Sequence, residues 1–167
     1  DGSQIQSLFG ATGQGMINIF PTVCEKTDTA WNSPREENYV FAIIDELKRA
    51  YNIDTNRVYL AGHSMGGFGT WSIGGIHADV FAALSPQAGG GGMGMAHNFK
   101  NTPVWFYHST DDPRVDSKSD EKALAKLNEL KSKYGPYDFV GKIYNDIGHG
   151  TPKEGLQPIW TWMNGKV

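Results

Sequence analysis

The stretch Val58–Trp71, VYLAGHSMGGFGTW, constrains this chain more than any other. Val58-Tyr59-Leu60 reads as a buried strand, and MGGFGTWSIGGIHA reads as a helix despite its glycines. Between them Gly62-His63-Ser64-Met65-Gly66 leaves room only for a sharp turn with a serine at its apex. Such a turn strains the backbone at the serine, so small residues at 62 and 66 are expected to relieve the crowding. The helix starting behind it would offer free N–H groups and the positive end of a dipole. A strand–turn–helix of this kind presents a nucleophile, with Met65 N–H as the adjacent oxyanion donor. The alternative is a packing turn with an inert serine.

The rest of the chain places that turn in an α/β fold. Apolar runs of strand length alternate with helical patterns, which predicts a mostly parallel sheet of about five strands with helices on both faces. The predicted strands are Met16–Thr22, Arg57–Gly62, Val80–Gly89, Pro103–His108 and Phe139–Asp146. Between the first two, Glu36–Asn52 places Val40, Ile43, Ile44, Leu47 and Tyr51 near helical spacing. The clearest helix is SKSDEKALAKLNELKSKYG, with Ser117 or Ser119 to cap its start and Gly135 to stop it. Leu124, Leu127 and Leu130 form its stripe, and Ile159–Met163 suggests a closing helix. No repeat or low-complexity linker interrupts the 167 residues, so a single domain over 1–167 is expected.

Composition removes several function classes. A net charge of −3 gives no electrostatic reason to expect nucleic acid as a partner. No stretch approaches the length of a membrane span, and Asp1 opens no signal-peptide pattern, so the compartment is unknown. Cys24 is the only cysteine, which leaves neither an intrachain disulfide nor a thiolate metal cage. No cofactor or metal is expected. Gly10–Gly15, GATGQG, has the wrong order for a dinucleotide loop and no following Lys-Ser/Thr for a P-loop, so it reads as turn glycines ahead of a strand.

A serine hydroxyl at neutral pH needs a base, and the base an orienting acid. Of five histidines, His63 lies inside the turn and His77 on the helix beyond, both badly placed to reach back to Ser64. His97 follows the Gly-rich run and reads as a surface or substrate-side group, and His108 ends a strand with a structural role in the next loop. His149, flanked by Gly148 and Gly150 after the last strand, is the candidate base. For the acid, YHSTDDPRVD offers Asp111, Asp112 and Asp116 just after a strand; Asp112, before Pro113, is favoured and Asp111 is its chief competitor. Ser64, Asp112 and His149 each follow the C-terminal end of a predicted strand, the edge where open α/β sheets bind ligands.

NIDTNRVYLAGHSMGGFGTW, PVWFYHSTDDPRV and GHGTP together resemble the α/β-hydrolase superfamily, over roughly Met16–Met163. The nearest branch groups bacterial esterases with feruloyl and acetylxylan esterases, polyhydroxybutyrate depolymerases and peptidases. The resemblance implies a three-layer hydrolase-type fold, with nucleophile Ser64, acid Asp112 and base His149, and carboxylic ester hydrolysis through an acyl-enzyme. The family's upstream strands and His-Gly-Gly oxyanion loop have no counterpart here, so an N-terminally truncated sheet is expected. DGSQIQSLFG is similar to the segment that follows that loop. A gap would then lie beside the Arg57–Gly62 strand, filled by an inward shift of Met16–Thr22, by strand pairing with another copy, or by association with a missing N-terminal segment.

The expected substrate is a small-molecule or polymeric ester with an acetyl, feruloyl or polyester-type acyl group. Phe68, Trp71 and Gly90, in the Gly89–Met95 loop, are candidate substrate-binding residues, although core packing is the commoner role for such aromatics. Two other readings are a serine peptidase of prolyl-oligopeptidase type and a non-catalytic hydrolase-fold binding protein.

Overall fold

A computed structural model describes residues 16–23, 31 and 33–166. The Gly10–Gly15 turn, Cys24 and the DGSQIQSLFG segment lie outside them. Four strands form one sheet in the order β1 (Tyr59–His63), β2 (Ala83–Gln87), β3 (Val104–Ser109) and β4 (Phe139–Tyr144). Every neighbouring pair is parallel, so the four carboxyl ends share one edge. Helix α1 (Pro34–Ala50) precedes β1, α2 (Met65–Ile76) joins β1 to β2, a 3-10 segment (Met93–Lys100) lies between β2 and β3, α3 (Lys118–Tyr134) joins β3 to β4, and α4 (Gln157–Asn164) follows β4.

The helices end where their residues dictate. In α1, Pro34 opens the first turn beside Glu36 and Glu37, and Lys48 and Arg49 close the last, each charge matched to the dipole end it faces. Asp120 and Glu121 open α3, and Gly135 ends it at φ 90°, a conformation glycine adopts without Cβ strain. Ser117 takes the N-cap position of α3 as expected, its carbonyl accepting Glu121 N–H at 3.0 Å, but its hydroxyl makes no cap bond and donates to Glu121 Oε1 at 2.6 Å. Ser119 instead accepts the N–H of Gly91 at 2.9 Å, which ties the Gly-rich loop to this helix.

Side chains alternate across the sheet into two cores. Leu84, Val104 and Phe106 face Trp71, Leu127 and Leu130 on one side, while Ala83 and Tyr107 face Ile159, Trp160 and Met163 on the other. Each fully buried large apolar side chain contributes about 2 kcal/mol to the collapse. Among the described residues no helix is long and apolar enough to cross a membrane.

One expected strand is corrected. Residues 16–23 form none, and Ile17 and Ile19 are exposed. They line one side of a cavity of about 870 Å³, with Ile43, Ile44 and Leu47 of α1, Val58, and residues 59–61 of β1 also on its walls. Among the described residues β1 therefore pairs only with β2, and Met16–Thr22 joins no sheet.

Candidate active site

Ser64 stands between β1 and α2 at φ 57° and ψ −116°, a left-handed conformation that a non-glycine residue holds only when its surroundings enforce it. Two glycines provide that enforcement. A Cβ on Gly62 would lie 2.4 Å from Gly66 O, and one on Gly67 would lie 2.4 Å from Gln87 O. Gly66 was expected to relieve the turn, yet a Cβ there meets nothing within 4 Å; Gly67 takes that role by letting α2 touch the end of β2. Ser64 N–H also donates to Gln87 O at 2.8 Å, binding the turn to β2. The first bond of α2 runs from Phe68 N–H to Ser64 O at 3.1 Å. The N–H of Met65, the first helical residue, thus precedes the intrahelical ladder and points from a positive dipole end.

His149 arrives from the loop after β4. Gly148, at φ 56°, turns the backbone, and its N–H donates to Asp111 Oδ1 at 3.0 Å. Asp111 also accepts from the Ser109 hydroxyl, so this rival for the acid role holds the loop that carries His149. Asp112, its side chain buried, faces the ring itself: His149 Nδ1–H donates to Asp112 Oδ2 at 2.6 Å. On the other side of the imidazole, the Ser64 hydroxyl donates to Nε2 at 2.8 Å. The structure therefore brings Ser64, His149 and Asp112 into one line, an arrangement able to strip a hydroxyl of its proton and stabilise the imidazolium that results.

Burial opposes the charge on Asp112. Hydrogen bonds from His149 and from the N–H groups of Arg114 and Val115, at 2.8 and 3.0 Å, outweigh it and hold the carboxyl at about 2. At neutral pH Asp112 is an anion aimed at Nδ1. Asp116 accepts the N–H of Lys118 and is absent from this line.

Two histidines set aside in the sequence reading stand at the site. The His63 ring centroid is 4.9 Å from that of His149, and its Nε2 is buried without a hydrogen-bond partner among the described residues. Burial, and then the neighbouring His149, lower its pKa to about 4, so the ring is neutral. His108, fully buried in β3, places Nε2 at 3.2 Å from Asp112 Oδ2 and Nδ1 at 2.7 Å from Asp120 Oδ2. Both were legible in principle, since each lies at the carboxyl end of a strand. His77 pairs with Glu37 at 2.7 Å, and His97 is exposed beside Tyr134.

The three candidate substrate-binding residues separate. Phe68 is exposed on the first turn of α2, and Gly90 is buried against its ring and against Ser119. Trp71 is corrected: it is 1% exposed, packs on Phe99 and Phe106, and donates its indole N–H to Asp120 at 2.8 Å. It is a core residue and lines no cleft. The cavity beside β1 holds none of Ser64, Asp112 or His149. Among the described residues no group of three or more His, Cys, Asp or Glu side chains could hold a metal ion.

No protein-family model matches the chain. It is 34% identical over 104 residues to a bifunctional acetylxylan esterase/xylanase of Neocallimastix patriciarum, a match covering 61% of this chain and 15% of that protein. It is 42% identical over 48 residues to poly(3-hydroxyalkanoate) depolymerase C of Paucimonas lemoignei, covering 29% of this chain and 12% of that one. Among solved structures, a thermostable esterase superposes with a TM-score of 0.63 at 34% identity, over 82% of this chain and 35% of the esterase. The chain thus spans a small part of these relatives' lengths.

Proposed function

The chain belongs to the α/β-hydrolase superfamily, and from that premise we propose that it hydrolyses carboxylic esters through an acyl-enzyme on Ser64. The observation that most supports this is the continuous line from Ser64 Oγ through the two nitrogens of His149 to Asp112, with links of 2.8 and 2.6 Å. Ser64 Oγ attacks the ester carbonyl carbon while its proton passes to His149 Nε2. The oxyanion that forms faces the start of α2, where Met65 N–H donates to it; one such donor is worth about 10²–10³ in turnover. Collapse breaks the bond to the alcohol, which leaves with the proton from His149. Water then attacks the acyl group on Ser64, giving its proton to His149, which returns it to Ser64. Asp112 stays ionised throughout and holds the Nδ1–H tautomer.

We assign Phe68 and Gly90 to the acyl side of the cleft, next to the nucleophile turn. The substrate class is a small acyl ester on a carbohydrate or a polyester, in line with relatives named for acetylxylan and poly(3-hydroxyalkanoate). We further infer that the edge of β1 left unpaired among the described residues pairs with a second copy of the chain, because a strand edge beside apolar walls invites another strand.

The test is a panel of nitrophenyl acetate, butyrate and ferulate, a 3-hydroxybutyrate oligomer and proline-containing peptides. Ester hydrolysis is expected to dominate, and Ser64→Ala is expected to lower kcat/KM by about 10⁴-fold or more. Peptide cleavage exceeding ester cleavage, or an undiminished Ser64→Ala variant, contradicts the reading.

A further inference from the structure

Behind the acid of the candidate triad lies a second, fully buried acid–histidine pair that takes no part in the acyl-transfer steps. His108 and Asp120 are both inaccessible to solvent, as is the Asp112 side chain they approach. The contacts determine the protons. Val115 O, 3.1 Å from His108 Nε2, can only accept, so Nε2 carries hydrogen. That same Nε2–H stands 3.2 Å from Asp112 Oδ2, the oxygen that receives Nδ1–H of His149. On the far side, Nδ1 and Asp120 Oδ2 share a proton across 2.7 Å, and Trp71 N–H occupies the other Asp120 oxygen at 2.8 Å.

We propose that His108, held by Asp120, is a positioning residue for the triad: it fixes the Asp112 carboxylate from behind and tempers the negative charge that Asp112 presents to His149. The proposal rests on the triad reading above. The two oxygens of Asp112 are divided between tasks, since Oδ1 receives the N–H groups of Arg114 and Val115 while Oδ2 lies between two imidazoles. A carboxylate pinned on both oxygens cannot rotate away from His149. Burial opposes charge on both partners and raises the pKa of Asp120, while the hydrogen bond to Asp120 and the neighbouring carboxylates together outweigh burial at His108 and raise the histidine's pKa above its ordinary value. The groups facing His108 are Asp112 and Asp116 from its following loop and Asp120 from α3; those facing His149 are Asp112, Ser64 and His63.

Asp120→Asn is the discriminating variant. Its amide keeps the size and a hydrogen bond to His108 Nδ1 but removes the negative charge behind the ring, which weakens His108 Nε2–H as a donor to Asp112. Asp112 would then act on His149 undiluted. The His149 Nδ1–H proton resonance, which reports its hydrogen bond to Asp112, is expected to move from its wild-type position. The acid limb of kcat/KM moves with it, kcat falls several-fold and KM stays within about twofold. A His149 Nδ1–H resonance and an acid limb identical to wild type in folded Asp120→Asn overturn the proposal and reduce the pair to core packing. Wild-type protein supplies a test independent of any variant's folding: the His108 Nε2–H resonance should shift over the pH range of the acid limb of kcat/KM, and a resonance constant through that range overturns the proposal. Because NMR reads the histidines whether or not ester is cleaved, an inactive wild type fails the esterase reading alone, while unshifted resonances in an active enzyme fail this proposal alone.

Discussion

His63 shows how one buried ring can couple acidity to stability at the site. Its Nε2 has no hydrogen-bond partner among the described residues, so charging the ring inside the fold is costly. The folded pKa of about 4 lies below the ordinary 6.5, and the unfolded chain therefore takes up this proton first as pH falls. The stabilisation from burying neutral His63 is complete above about 6.5 and is lost as pH falls from there through about 4, a change of about 3 kcal/mol. Replacing the ring with one that cannot titrate removes the dependence. Thermal melting of His63→Phe from pH 7 to 4 should accordingly show a shallower decline than wild type. An equally steep decline would assign the acid sensitivity to other groups. Asp112, held at about 2, remains charged over that whole range and cannot produce the difference.

At the scale of elements, the nucleophile turn was the most legible part of the sequence, because its chemistry is local. A strand, a serine between glycines and a helix are contiguous in Val58–Trp71, and the geometry at Ser64 follows from them. Non-local contacts were less legible. Gly67 matters because it meets Gln87 and Gly89, some twenty residues away, and nothing within the motif distinguishes it from Gly66. Trp71 stood as a substrate-binding candidate beside the commoner role of core packing, because the partner that decides between them, Asp120, lies 49 positions downstream. His108 read as a loop anchor for the same reason. Met16–Thr22 read as a strand but lacks the neighbour a strand requires, and among the described residues β1 pairs on one side only. If that edge pairs two copies, the mass in solution should approach twice 18.4 kDa as concentration rises. A Lys substitution at Ala61, exposed on β1, should reduce association. A monomer at every concentration contradicts pairing through β1.

Across the whole molecule, parallel strand order turns widely separated residues into one site. Ser64 follows β1, Asp112 follows β3 and His149 follows β4, and only a sheet with all its carboxyl ends on one edge lets these three meet. The two cores hold that edge in place: α2 and α3 pack on one face, with Trp71 and Asp120 linking them, and α4 packs on the other. The central claim, that this edge makes Ser64 a nucleophile, is tested most directly by a fluorophosphonate probe on folded protein, with the labelled residue located by mass spectrometry. Wild type should gain one covalent phosphonyl group on Ser64, and Ser64→Ala should gain none. A folded wild-type chain that remains unlabelled, or carries the label at another residue, would contradict it.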